Sequence, residues 1–182
     1  MYKKLITDSA QLLIIDVQEK LVTMLEKDTI ASKTAILAAV ANSIDLPTTV
    51  TEQYPQGLGN TIEPVRTKLP SNTTFHEKVT FSAYEKQEIR DSIESSEKKQ
   101  IIICGIEAHI CVLQTTIDLL NAGYEVFVVK DACASRNKYE FKLAIERLKT
   151  AGAIITCVEM VLFELLGSAK HPKFKELQAL IK

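Results

Sequence analysis

Ile101-Ile-Ile-Cys-Gly-Ile-Glu-Ala-His-Ile-Cys-Val112 decides the fold of this chain. The run Ile101 to Cys104 is apolar throughout and predicts a buried strand, over about Gln100–Gly105. Gly105 ends it, a short turn follows, and Cys111 opens an amphipathic helix that stops at the glycine cap Gly123. A thiol in the first turn of a helix, just past the carboxyl end of a buried strand, is well placed for a nucleophile. The helix N-terminus favours an anion, and open α/β sheets gather their sites at the carboxyl ends of parallel strands. Taken alone, Cys111 has two readings, a reactive thiol or a buried structural cysteine.

The same pattern extends outward. Ala10–Val17 is too densely apolar for a half-exposed strand and reads as a central parallel strand ending at Asp16. Ile30, Leu37, Ala41 and Ile44 share one helical face and predict a helix over Thr29–Ile44. Pro47–Thr51 reads as a second strand, Thr51–Glu63 as a loop, and Thr73–Val79 as an extended segment ending near Lys78. Ser82-Ala-Tyr-Glu85 has the form of a capping box and predicts a helix from there to about Ser96. Glu125–Val129 and Ala153–Cys157 are further strands. Between them lies a helix capped by Asn137 and ended by Gly152, with Phe141, Ala144, Ile145 and Leu148 on one face. A short helix to about Leu166 follows, then a last one with Pro172 as its first residue. Strands alternating with helices predict a three-layer α/β/α fold around a mostly parallel sheet. At 182 residues, the chain reads as a single domain, 1–182.

Composition narrows the function. The formal net charge of −1 argues against a nucleic-acid partner. No apolar run reaches the ~18–20 residues a membrane span needs, and Met1-Tyr-Lys-Lys-Leu-Ile makes a poor signal peptide. Cys104, Cys111, Cys133 and Cys157 lie in or beside apolar strands, which predicts reduced thiols and a cytoplasmic protein. The three histidines, at 76, 109 and 171, have no ligand spacing, so neither a metal nor another cofactor is expected. His109 lies two residues from Cys111, and side chains so spaced diverge on a helix, which argues against a Cys–His dyad. Asp131 and Arg136 read as an internal salt bridge that holds a loop.

Three polar residues stand at the ends of apolar strands: Asp16, Lys78 and Cys111. Parallel strands deliver all three to one edge of the sheet. Together they form a nucleophile system in which Cys111 attacks, Asp16 takes and returns the proton, and Lys78 lowers the thiol pKa.

These residues carry a resemblance. Asp16-Val-Gln18 after an apolar strand, Lys78, and Gly105-Ile-Glu-Ala-His-Ile-Cys111-Val resemble the isochorismatase-like cysteine hydrolases, over almost the whole chain. Thr51-Glu-Gln-Tyr-Pro-Gln-Gly-Leu-Gly59, Asp131-Ala-Cys-Ala-Ser-Arg136 and His171-Pro-Lys-Phe-Lys-Glu-Leu-Gln178 look like the subgroup of isochorismatase domain-containing proteins. The resemblance implies a catalytic triad of Asp16, Lys78 and Cys111. It also implies a cis peptide between Ile106 and Glu107, and an oxyanion hole from the backbone N–H groups of Glu107 and Cys111. By position, Gln18, Gln53, Tyr54 and Phe81 are substrate contacts. Nicotinamidases of this superfamily bind a metal through histidines after the second strand, but here that region is Thr51-Glu-Gln-Tyr54. True isochorismatases cleave a vinyl ether without needing the cysteine, so Cys111 favours acyl chemistry. The expectation is a hydrolase of a small amide or ester through a thioester. An oligomeric interaction module, a vinyl ether hydrolase and a nuclease are the competing readings. A homo-oligomer, a dimer or larger, is expected, with Phe163–Leu166 and the C-terminal helix as contact surface.

Overall fold

The computed structural model describes residues 3–25 and 29–182, so Met1 and Tyr2 of the N-terminal hexapeptide lie outside it. Among the described residues there are six strands, β1 (Ala10–Ile15), β2 (Thr48–Gln53), β3 (Thr74–Lys78), β4 (Gln100–Ile106), β5 (Glu125–Ala134) and β6 (Ile154–Thr156). The helices are α1 (Glu19–Thr23), α2 (Thr29–Ser43), α3 (Pro55–Leu58), α4 (Glu63–Arg66), α5 (Gln87–Ser95), α6 (Leu113–Asn121), α7 (Lys138–Thr150), α8 (Val158–Leu166) and α9 (Phe174–Gln178).

All strands are parallel and run in the order β3-β2-β1-β4-β5-β6. Every residue of β1 and β4 is buried, as two-faced burial of an apolar run requires. α2 packs with α4 and α8 as one layer, and α6 packs with α7 in the other, giving the three-layer α/β/α architecture. β1 and β4 are neighbours, but the chain leaves β1 toward β2 and leaves β4 toward β5. That reversal makes a topological switch point at their carboxyl ends, the position where sheets of this order bind ligands.

Gly105 lets β1 and β4 come this close. Its φ is 137°, and a Cβ there would lie 2.0 Å from the Ile15 carbonyl oxygen. Only glycine fits that approach.

Several boundaries differ from the sequence expectation. The capping box at Ser82 does not form. The Ser82 hydroxyl bonds Asp118 Oδ2 at 2.5 Å, and Ala83 N–H donates to Thr115 Oγ1 at 2.9 Å, so α5 begins later, at Gln87. The Thr51–Glu63 loop holds α3, and β2 runs on to Gln53. β5 continues through Lys130 and Asp131 to Ala134, past a register shift opposite Ile103 and Gly105. Asp131 is satisfied there, because its Oδ1 accepts from Val158 N–H at 2.9 Å and Oδ2 faces Lys33 at 3.5 Å. The expected Asp131–Arg136 bridge is therefore replaced by other partners, and Arg136 pairs with Glu107. Pro172 precedes the last helix, which starts at Phe174.

Candidate active site

The site is built from the ends of three strands. Asp16 follows β1 directly with φ 52°, a left-handed conformation that aspartate tolerates better than most residues. Its N–H donates to Thr51 O at 3.1 Å, because Ile15 and Thr51 are register partners. The carboxylate is wholly buried. Oδ1 accepts from Thr51 Oγ1 at 2.6 Å and Oδ2 from Lys78 Nζ at 2.7 Å.

Lys78 closes β3 with its side chain fully buried. Besides Asp16, Nζ reaches Gln53 Oε1 at 2.6 Å, Thr80 O at 3.2 Å and Phe81 O at 3.4 Å. An ammonium has three protons, so this donor set is saturated. Its charge acts on the site, including on Cys111. Breaking such a buried pair by removing one partner costs about 3–5 kcal/mol.

Cys111 lies past β4, in a π-helical turn over Ala108–Val112 that runs into α6. It thus sits inside the first turn of a continuous helix, and that turn is wider than an α-helical one. The Glu107 carbonyl accepts from both Ile110 N–H at 3.1 Å and Val112 N–H at 3.3 Å. Single π turns of this kind recur at functional sites. The Ile106–Glu107 bond before it is cis.

The thiol is 7% exposed, and its pKa is pushed up to about 12. Burial is the main cause and the Asp16 charge adds to it, while Lys78 pulls the other way. From the sequence, Lys78 lowers the thiol pKa, and it does pull that way. Here its pull is weaker than burial and Asp16 together, so the resting form is the neutral thiol beside a carboxylate. Asp16 and Lys78 each act on the sulfur both by charge and by side-chain hydrogen bonding. Burial pushes Cys133 to about 12 as well, and holds Cys104 well above its ordinary value.

The expected substrate contacts divide into two pairs. Gln18 is buried with its amide fully employed. Nε2 donates to Gly59 O at 2.6 Å and Gln53 O at 3.0 Å, and Oε1 accepts from Gln53 N–H at 2.7 Å. It fastens the loop after β2 and has no donor left for a ligand. Gln53 anchors Lys78 through Oε1 and donates from Nε2 to Val79 O at 3.0 Å. Tyr54 and Phe81 are both more than half exposed, at the outer edge of the site. A cavity of about 350 Å³ lies there, lined by Tyr54, Pro55, Lys78, Val79, Thr80 and Lys86 among others. Since the Lys78 side chain is fully buried, this cavity meets its main chain and not the trio.

Thr51 and Thr80 were not singled out in the sequence, although each bonds a member of the trio directly. The signal for Thr51 is its position at the end of a strand neighbouring β1. His109 does not serve Cys111 as a base. Its Nδ1 is hydrogen-bonded to Ser135 Oγ at 2.9 Å and its Nε2 faces Glu140 at 3.3 Å. Among the described residues no group of three or more His, Cys, Asp and Glu side chains forms a metal-binding cluster.

A family model described as the isochorismatase domain matches residues 10–160. The chain belongs to the isochorismatase family. Over 180 residues it is 36% identical to isochorismatase domain-containing protein 2 of Bos taurus, covering 98% of this chain and 86% of that one. The isochorismatase-family fold is matched by the structure of MAR1 ribonuclease from Caenorhabditis elegans, with a TM-score of 0.93 at 38% identity, covering 98% and 92% of the two chains. YcaC from Pseudomonas aeruginosa, solved with hexane-2,5-diol and covalent acrylamide, gives a TM-score of 0.93 at 25% identity and covers 100% and 91%.

Proposed function

We propose that this isochorismatase-family protein is a cysteine-dependent hydrolase of a small neutral amide or ester. The observation that carries the reading is the meeting of Asp16, Lys78 and Cys111, from three different strands, at the switch point between β1 and β4. A scaffold would not require a buried ion pair beside a buried thiol, since apolar residues of similar volume are as stable or more so.

In the proposed reaction, the Cys111 thiol gives its proton to Asp16 as Sγ bonds to the substrate carbonyl carbon. The backbone N–H groups of Glu107 and Cys111 donate to the oxyanion. The intermediate collapses, the C–N or C–O bond breaks, and Asp16 returns the proton to the leaving amine or alcohol. Water, deprotonated by Asp16, then attacks the thioester. The acid leaves and sulfur recovers its proton. Lys78 stays charged throughout and holds Asp16 in place. A neutral resting thiol suits this cycle, because Asp16 begins free to accept a proton. Acrylamide is an electrophile that adds to thiols, and its covalent presence in the Pseudomonas relative agrees with a reactive nucleophile there. The charges of the trio compensate one another, which favours an uncharged reacting group. Tyr54 and Phe81 offer apolar surface at its edge.

The Caenorhabditis elegans relative is named a ribonuclease, which gives a second reading. A net charge of −1 is a poor match to a phosphate backbone. The test is hydrolysis of a panel of amides and esters, with RNA in parallel, by the wild type and Cys111→Ala. The proposal expects Cys111-dependent release of acid from at least one amide or ester. RNA cleavage that survives Cys111→Ala, with no acyl hydrolysis, would replace it.

We infer also that the protein is a cytoplasmic homo-oligomer. Phe163 and Met160 project from α8 and support this, while Leu165 and Leu166 are buried in the core and are not contact surface as first expected. Light scattering in solution gives the copy number. Among the described residues no helix is long and apolar enough to cross a membrane.

A further inference from the structure

The chain enters the Cys111 turn through Glu107-Ala-His109, and both polar side chains of that entry are tied to one distant segment. Arg136 N–H donates to Glu107 Oε1 at 3.1 Å, and Arg136 Nε pairs with the same oxygen at 3.3 Å. Ser135 Oγ and His109 Nδ1 are 2.9 Å apart, and Glu140 Oε2 lies 3.3 Å from Nε2. Ser135 and Arg136 follow β5 immediately, and Glu140 stands in the first turn of α7. None of these contacts involves substrate or Cys111 itself. The turn they flank is π-helical, a geometry that surrounding contacts must hold.

We propose that His109 and Glu107 are positioning residues: through Ser135, Arg136 and Glu140 they clamp the turn that carries Cys111 against Asp16. The proposal rests on Cys111 being the nucleophile.

Three features support it. The clamp has two points, one at residue 107 and one at 109, so it fixes both the rotation and the depth of the turn. Its anchor follows the end of β5, where Cys133 and Ala134 pair with Gly105 and Ile106 of β4. Both clamped side chains are largely enclosed, 9% and 18% exposed, while their charged partners Arg136 and Glu140 are 56% and 43% exposed. The groups acting on the thiol are Asp16 and Lys78, and those facing His109 are Ser135 and Glu140. The two sets share no member, so any effect of His109 on Cys111 must pass through the position of the turn.

The test reads that position without needing a substrate. The pH profile of Cys111 alkylation by iodoacetamide is measured in the full-length protein, mapped by peptide mass, with Cys157 followed as internal reference. In the wild type the Cys111 midpoint is expected well above the ~8.5 of a free thiol, because burial and Asp16 raise it. In His109→Ala, and in the milder Ser135→Ala, the turn moves from Asp16 and the midpoint falls. Each unit of fall raises the rate at pH 8 about tenfold. His109→Asn, which keeps a polar group facing Ser135, returns the midpoint toward wild type. A wild-type profile for Cys111 in folded His109→Ala and Ser135→Ala would overturn the clamp. So would a change shared with Cys157 and not reversed by His109→Asn. Absence of any hydrolytic activity bears on the proposed function alone, since alkylation does not require turnover.

Discussion

Asp16 has two effects on Cys111 that pull in opposite directions. As a negative charge close to a buried thiol it makes ionisation harder. In the proposed reaction it is the base that takes the thiol proton. Asp16→Asn separates these effects. The thiol then faces Lys78 alone, its pKa falls from about 12, and alkylation at pH 8 accelerates, about tenfold for each unit of fall. Turnover nevertheless disappears, because neither attack nor departure has a proton carrier. Parallel alkylation and hydrolysis assays check this, and slower alkylation in the variant would mean that Asp16 does not act on the thiol by its charge. The sequence showed Asp16, Lys78 and Cys111 as polar residues at strand ends. It did not show the balance among burial, Asp16 and Lys78, because that depends on enclosure from every side. Lys78 does lower the thiol pKa, as the sequence implies, but burial and Asp16 set the net direction.

At the scale of elements, the candidate site depends on how closely β1 and β4 approach. Gly105→Ala would put a methyl group against the Ile15 carbonyl in a backbone conformation closed to L side chains. It should cost about 4 kcal/mol or more. Urea unfolding checks this, and a variant with wild-type stability would mean that the strands can separate. β1 and β4 were legible as strands because two-faced burial needs unbroken apolar runs. The helices α1, α3 and α4 were not, being only five, four and four residues long, too short for periodicity to register. The Ser82 cap failed for a different reason. Ser82 and Asp118 are 36 positions apart, and a partner at that distance outcompetes a local one without leaving any sign nearby. Likewise β5 runs through charged Lys130 and Asp131 because Asp131 caps the backbone of Val158, a contact between distant segments.

The whole molecule carries several neutral buried thiols, and this sets its behaviour in alkali. Cys104, Cys111 and Cys133 all have raised pKa values in the folded state. The unfolded chain loses these protons near pH 8.5 and the folded one does not until far higher pH. Above pH 8.5 the native state therefore binds more protons, and stability falls as pH rises. For Cys111 and Cys133 the loss continues up to about pH 12 and reaches about 2 kcal/mol for each thiol by pH 10. Unfolding free energy measured between pH 7 and 10 should drop accordingly, and less steeply in Cys111→Ala. A flat profile would mean that the thiols are not enclosed. The fold class was readable from the alternation of strands and helices. The strand order that creates the switch point was not, because it is set by which strands pair across long connections.

The measurement that bears most directly on the central claim is peptide mass mapping of the protein during turnover of an activated ester. The account predicts an acyl group on Cys111 in the wild type and none in Cys111→Ala, together with loss of hydrolysis in that variant. Hydrolysis at the wild-type rate by folded Cys111→Ala, with no acyl group on Cys111 of the wild type, would contradict it.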